Sequence, residues 1–205
     1  GRPIGIVVVC DRTQGHEHEG QLERAPAVVE PLVGDRRIHG IASSAALART
    51  GAEPSALHNN CSGKHSGFLC TCAHHGIDHR GYVRREHRSQ QWVREAMESV
   101  TGAAHGEDVC GIDGCSIPTY AVPLKNLAAG FARMATGEGL DLGLGRAAKR
   151  IFDAATSHPL LVAGTGHFDT LAMEAFGGRL MQKGGAEGVQ CGAIRDKGWG
   201  YALKC

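Results

Sequence analysis

Cys61, Lys64, His65 and Cys115 are the candidates in this sequence for holding a metal ion. Thiolate sulfur and imidazole nitrogen are good zinc ligands, and Cys61 and His65 stand four residues apart, the spacing that places two side chains on one helix face. Taken as chemistry alone, the donors favour Cys61, His65 and Cys115 as the ligand set. Lys64 competes with His65, but an amine ligates only when neutral, since the ammonium has no lone pair, and a cation beside it depresses its pKa. Ser62 adds a hydroxyl to line a site, with no base beside it in sequence to make it a nucleophile. Asp113, two residues before Cys115, is a carboxylate placed to orient an amine or a bound water, or else a turn residue ahead of Gly114. Lys183, within Lys-Gly-Gly-Ala-Glu-Gly, falls at the end of a predicted strand.

The elements that must position these groups follow from pattern. His58 to Phe68 reads as a polar loop feeding a helix of roughly three turns that Gly76 stops. Before it, Ile4 to Cys10 is a β-branched run and a predicted strand, and Asp11 to Gly20, with His16 and His18, is a loop. Leu22 to Val33 is interrupted by Pro26 and Pro31. Ile41 to Thr50 is an Ala-rich helix ended by Gly51. After the central helix, Arg80 to Arg88 reads as a solvated basic face. Ser89 to Val100 is an amphipathic helix, and Gly102 to Asp108 a polar connection. Pro123 opens a helix with Leu124, Leu127, Ala128 and Phe131 as its buried stripe, closed at Gly137. Arg146 to Ala155 and a short segment around Met173 and Phe176 are helical. Arg179–Lys183, Val189–Ile194 and Trp199–Lys204 read as strands, with Asp196-Lys197-Gly198 as a hairpin turn. Strands at both ends and helices between them predict one α+β domain over residues 1–205. Its antiparallel sheet takes its first strand from the N-terminus and is flanked by helices.

Composition narrows the classes of function. Of 205 residues, 22 are basic and 21 acidic, a net charge of +1 that offers no field for nucleic acid. No apolar run approaches the ~18 to 20 residues of a membrane span. Eight cysteines with no CxxC pair suit neither a disulfide scaffold nor a zinc finger. No secretory signal opens the chain, so the thiols are expected to be reduced in a cytoplasm, and Asn60-Cys61-Ser62 is not read as a glycosylation site.

The run His-Asn-Asn-Cys-Ser-Gly-Lys-His-Ser-Gly-Phe-Leu from His58 to Leu69 resembles the signature of the class 3, rhizobial-type, thermolabile L-asparaginases of the asparaginase II family. Gly111 to Tyr120, Val162 to Gly166, Lys183 to Val189 and Ala202 to Cys205 extend the resemblance to the last residue. It implies a serine β-lactamase and penicillin-binding-protein-like fold, a homodimer, and hydrolysis of asparagine to aspartate and ammonia. It also implies a substrate-positioning zinc held by Cys61, Lys64, Cys115 and a water. Ser62, His65 and Asp113 then fall at the substrate, and Lys183 matches a catalytic lysine placed like that of the β-lactamase Lys-Thr-Gly motif. The family's nucleophile is the serine of a Ser-x-x-Lys pair, and no such pair occurs in these 205 residues. A second family serine has Gln14, or at nearest Thr13, in its place. The chain is therefore expected to be a core without its N-terminal and C-terminal family segments. The rival readings are an inactive zinc-bound scaffold or regulatory subunit, and a glutaminase or β-lactam hydrolase.

Overall fold

The apolar runs near the C-terminus fold into three consecutive strands, β4 (Leu180–Gly185), β5 (Val189–Ile194) and β6 (Trp199–Lys204). The computed structural model describes residues 5–10 and 41–205; the expectations for His16, His18, Thr13, Gln14 and Leu22–Val33 lie outside them. Two antiparallel ladders join the three strands, with Lys183 opposite Cys191 and Gly192 opposite Tyr201. The turn between β5 and β6 ends on Gly198 at φ 66°, a left-handed conformation that a side chain disfavours. β1 (Gly5–Cys10) completes the sheet in the order β1-β6-β5-β4. It pairs with β6 in parallel, from Gly5 opposite Trp199 to Cys10 opposite Lys204, so the sheet is mixed where an antiparallel first strand was expected. Parallel neighbours need a long crossover, and the whole middle of the chain supplies one.

The chain clusters into two compact units, described separately. The first holds the sheet with residues 96–105 and 122–205. Its organising helix is α4 (Leu124–Thr136), opened by Pro123 and capped by Gly137 as predicted. Ala128 and Ala132 on α4 are fully buried, as are Ala193 and Ala202 on the sheet. Leu124, Leu127 and Phe131 pack around Ala128, Cys191 and Ala202, so the predicted stripe is the packing face. A second cluster joins Phe131 and Met134 to Phe152, Met181 and Ala193. Phe152 comes from α5 (Leu142–Ser157), which begins earlier than predicted. Asp141 caps its N-terminus by accepting from the Gly143 and Leu144 amides, whereas Gly143 and Gly145 disguise the start in the sequence. A one-turn helix, α6 (Pro159–Ala163), was not anticipated, and α7 (Phe168–Ala175) contains Met173 as expected, with Phe176 as its C-cap.

The second unit covers described residues 41–95 and 106–121. It contains α1 (Ile41–Thr50), α2 (Ser62–His75) and the first half of α3 (Arg88–Thr101), the last matching the predicted amphipathic segment. Gly76 ends α2 in the left-handed conformation. Cys72, Tyr82, Val83, Cys115 and Ile117 form its core. Tyr82 and Val83 fall inside the stretch expected to be a solvated basic face. They turn inward while Arg80, Arg84 and Arg88 remain exposed. Residues 110–120 form a hairpin of β2 (Cys110–Ile112) and β3 (Pro118–Tyr120), each strand too short to show alternation in sequence. Among the described residues no helix is long and apolar enough to cross a membrane.

Gly200 on β6 is where α4 comes closest to the sheet. A Cβ there would lie 1.9 Å from the Ala128 carbonyl oxygen and 2.7 Å from the Ala132 nitrogen, both backbone atoms that cannot swing aside. Gly200→Val is therefore expected to destabilise the protein by at least about 3 kcal/mol, the upper end of ordinary overpacking. Urea denaturation checks it, and a midpoint equal to that of the parent would show that α4 can shift off the strand.

Candidate functional site

His58 to Cys61 of the polar signature form a turn ahead of α2, and from Ser62 the signature is already helical, where a loop as far as Phe68 was expected. Asn59 is buried and its side-chain oxygen accepts the Cys61 amide at 2.7 Å, a local turn that aims the chain into the helix. Cys61 is the N-cap, and the Cys61 carbonyl accepts the His65 amide at 3.1 Å. Ser62 and Lys64 then fall on the first turn, Ser62 accepting the Ser66 hydroxyl on its carbonyl. Opposite them stands the tip of the β2–β3 hairpin. The Asp113 amide donates to the Ile117 carbonyl at 2.9 Å, and the Ser116 amide to the Asp113 carbonyl at 2.8 Å. Ser116 takes a left-handed φ of 69° to close that tip.

One carboxylate oxygen gathers the group. Asp113 Oδ2 lies 3.4 Å from the Lys64 ammonium and accepts the Cys115 thiol at 3.4 Å. Asp113 Oδ1 accepts the Gly114 amide at 2.7 Å, which fixes the carboxylate plane. Cys61 packs against the core cluster that holds Cys115, and both thiols lie close enough to act electrostatically on Lys64. The electrostatics follow from this crowding. Burial pulls Lys64 down, but Cys115, Cys61 and Asp113 outweigh it and hold the amine above its ordinary value. Burial pushes the Cys115 thiol up to about 11, against the opposing pull of Lys64. Asp113 sits below the usual carboxylate value, burial being overcome by Lys64 and the bonds from Cys115 and Gly114. Both ends of the Lys64–Asp113 pair remain partly exposed, so it contributes only about 0 to 1 kcal/mol and serves to orient the two groups.

His65 points elsewhere. It is 1% exposed, shares a 2.7 Å hydrogen bond between Nδ1 and the Tyr82 hydroxyl, and meets the Phe68 and Tyr82 rings edge to face. Its Nε2 has no partner among the described residues. Burial, with the Lys64 cation beside it, lowers its pKa and keeps the ring neutral. The residue expected at the substrate is thus in the core. The cause is the helix itself: one residue beyond Lys64, the side chain has rotated about 100° toward Tyr82.

The two thiols are free, and among the described residues no three His, Cys, Asp or Glu side chains come together as a group able to hold a metal ion. A set of two sulfurs and an amine stands outside that count. Its chemistry suits a soft cation once the thiols and Lys64 lose their protons.

Lys183 belongs to the other unit. It is exposed near the C-terminal end of β4, and its Nζ donates to the Gly184 carbonyl at 2.5 Å. Beside it the structure shows a residue that sequence reasoning missed. Asp169, on the first turn of α7, is 1% exposed and accepts from the Gly184 amide and from Gln182 and Gln190. In sequence an Asp at a helix start reads as an ordinary first-turn acid, and nothing local signals its burial.

A family model for L-asparaginase II matches residues 34–205. The chain belongs to the L-asparaginase II family. No curated protein matches it. The matched range includes Cys61, Lys64, Asp113 and Cys115 as well as Asp169 and Lys183, so both places just described lie within the family's own sequence.

Cys115 is 5% exposed with its thiol raised to about 11, whereas Cys70 and Cys205 are exposed. Alkylation needs thiolate and access. In protein treated with a chelator at pH 7.5, iodoacetamide is expected to modify Cys70 at least about 100-fold faster than Cys115. Peptide mass spectrometry over a time course reads the order, and early labelling of Cys115 would show a thiolate that this geometry does not provide.

Proposed function

We propose that this protein is an amidohydrolase that converts L-asparagine to L-aspartate and ammonia. The observation that carries the reading is the family match over residues 34–205. The convergence of Cys61, Lys64, Asp113 and Cys115, and a lysine exposed at the end of an edge strand, support it. In this reading the fold is of the serine β-lactamase and penicillin-binding-protein type, and the working form is a cytoplasmic homodimer.

The chemistry is covalent. A serine hydroxyl gives its proton to a lysine amine and attacks the side-chain amide carbon. The C–N bond breaks, nitrogen leaves as ammonia with the transferred proton, and water cleaves the resulting ester to free aspartate and restore the serine. The family resemblance puts that serine in a Ser-x-x-Lys pair, which the 205 residues do not contain. Lys183 is the amine this chain contributes for moving protons. Ser62 and Asp113, at the mouth of the α2–hairpin cluster, offer a hydroxyl and a carboxylate to the substrate's polar groups. His65, on the same helix turn, is held in the core by Tyr82.

Zinc would be held by Cys61, Lys64 and Cys115 with a water, and when bound it would supply a Lewis-acidic anchor for the substrate. Asp113 would then exchange its ion pair with Lys64 for a hydrogen bond that keeps the neutral amine oriented.

The test is ammonia release from asparagine by the full-length, zinc-supplemented protein, with glutamine and a cephalosporin as competing substrates. Lys183→Ala is expected to lower kcat by about 10²- to 10⁴-fold, the usual worth of a proton-transfer group, while leaving the zinc content unchanged. No ammonia from any batch with zinc bound would sink the reading in favour of an inactive scaffold. Faster turnover of glutamine or the cephalosporin would reassign the substrate.

The ligand set has its own check. Lys64→Ala should leave the purified protein with background zinc by elemental analysis, at unchanged far-ultraviolet circular dichroism. Retention of one zinc per chain would remove Lys64 from the set.

A further inference from the structure

Asp169 carries a buried carboxylate. Among the described residues its ion-pair contact is the exposed His167 ring, Nδ1 to Oδ2 at 3.9 Å. What satisfies it instead is three N–H donors: the Gly184 amide on Oδ2 at 2.7 Å, and Gln182 Nε2 at 3.0 Å and Gln190 Nε2 at 2.7 Å on Oδ1. Gln182 is itself held, its Oε1 accepting the Tyr201 hydroxyl at 2.6 Å. A buried charge persists only where hydrogen bonds replace its water, and here every donor comes from β4 or β5.

Among the described strands β4 is an edge of its sheet. An edge strand leaves alternate amides with no neighbouring strand to accept them. At Gly184 the Asp169 carboxylate is that acceptor. The approach is close enough that a Cβ on Gly184 would stand 3.3 Å from both Asp169 Oδ2 and Gln190 Oε1. The next peptide unit is engaged as well, since the Gly184 carbonyl accepts the Lys183 amine.

We propose that Asp169 is the positioning residue for Lys183. Its carboxylate stands in for the missing neighbour strand and fixes the chain on both sides of the lysine, Gln182 through its side chain and Gly184 through its amide. That sets the direction in which the amine leaves the strand. The inference rests on the reading of Lys183 as the catalytic amine given above.

The experiment pairs steady-state kinetics on asparagine with hydrogen exchange of the Gly184 amide in the full-length protein. Three variants are compared with the parent: Asp169→Asn, the double variant Asp169→Asn/Gln182→Glu, and the milder Tyr201→Phe. Asp169→Asn leaves one acceptor oxygen for three donors. It is expected to lower kcat about 10- to 100-fold with KM within about threefold, and to remove exchange protection at Gly184 while Cys191 and Ala202 stay protected. The double variant moves the carboxylate to the neighbouring side chain, restores a donor–acceptor match and should recover at least a tenth of the parental kcat. Tyr201→Phe removes the hydroxyl that holds Gln182 and leaves the Asp169 carboxylate in place; it should cost two- to fivefold in kcat, which keeps the proposal testable if Asp169→Asn does not fold. Full kcat and intact Gly184 protection in Asp169→Asn or Tyr201→Phe, alongside an inactive Lys183→Ala, would overturn the role of Asp169 and leave that of Lys183 standing. A fully active Lys183→Ala would overturn both.

Discussion

The contact of α4 with β6 at Gly200 is the constraint on which the sheet unit depends. Two backbones meet there with no side chain between them, and the facing positions are alanines with almost no exposed surface. Small residues on both surfaces let the helix settle close to the strands, and the larger side chains, Leu124, Leu127, Phe131 and Phe152, fill the space around that contact. Because β6 is also the strand that β1 and β5 share, its position fixes two ladders at once. The strand bearing Lys183 is the far member of this series, tied to β5 on one side and to Asp169 of α7 on the other.

The other unit relies on a polar device. The start of α2 and the tip of the β2–β3 hairpin come together through Asp113, a single carboxylate that faces an ammonium and a thiol. These interactions are weak in the energetic sense, since the ion pair is half in water. They matter because they choose geometry: a short hairpin closed by a left-handed Ser116 delivers Cys115 and Asp113 to the helix start as a pair. The hydrophobic cluster of Cys72, Tyr82, Val83 and Ile117 supplies the stability that lets the polar mouth stay open. His65 bridges the two, carrying a polar ring from the signature into that core with Tyr82 as its partner.

Much of this was legible in the sequence where the signal is local. The stripe Leu124, Leu127, Ala128, Phe131 gave α4 and its packing face, Gly76 and Gly137 gave helix ends, and the segments Val189–Ile194 and Trp199–Lys204 are β5 and β6 to the residue. The misses have local causes too. Gly143 and Gly145 concealed the first turn of α5, and strands of three residues hold too little pattern to reveal β2 and β3. Arg80, Arg84, Arg85 and Arg88 make this core segment resemble surface, because their charge masks the two buried side chains between them, Tyr82 and Val83.

The sequence by itself determined which side chains are chemically able to act, because thiol, amine, imidazole and carboxylate are properties of residue type and their spacing along a helix is fixed by its pitch. It also determined the α+β class, because hydrophobic period is a local quantity. Tertiary structure alone decided that β1 enters parallel, that His65 turns inward while Lys64 meets Asp113, and that Asp169 is buried beneath Gly184. Each of these depends on which distant segment occupies the adjacent space, and a residue's chemistry carries no record of its neighbour until the chain has folded.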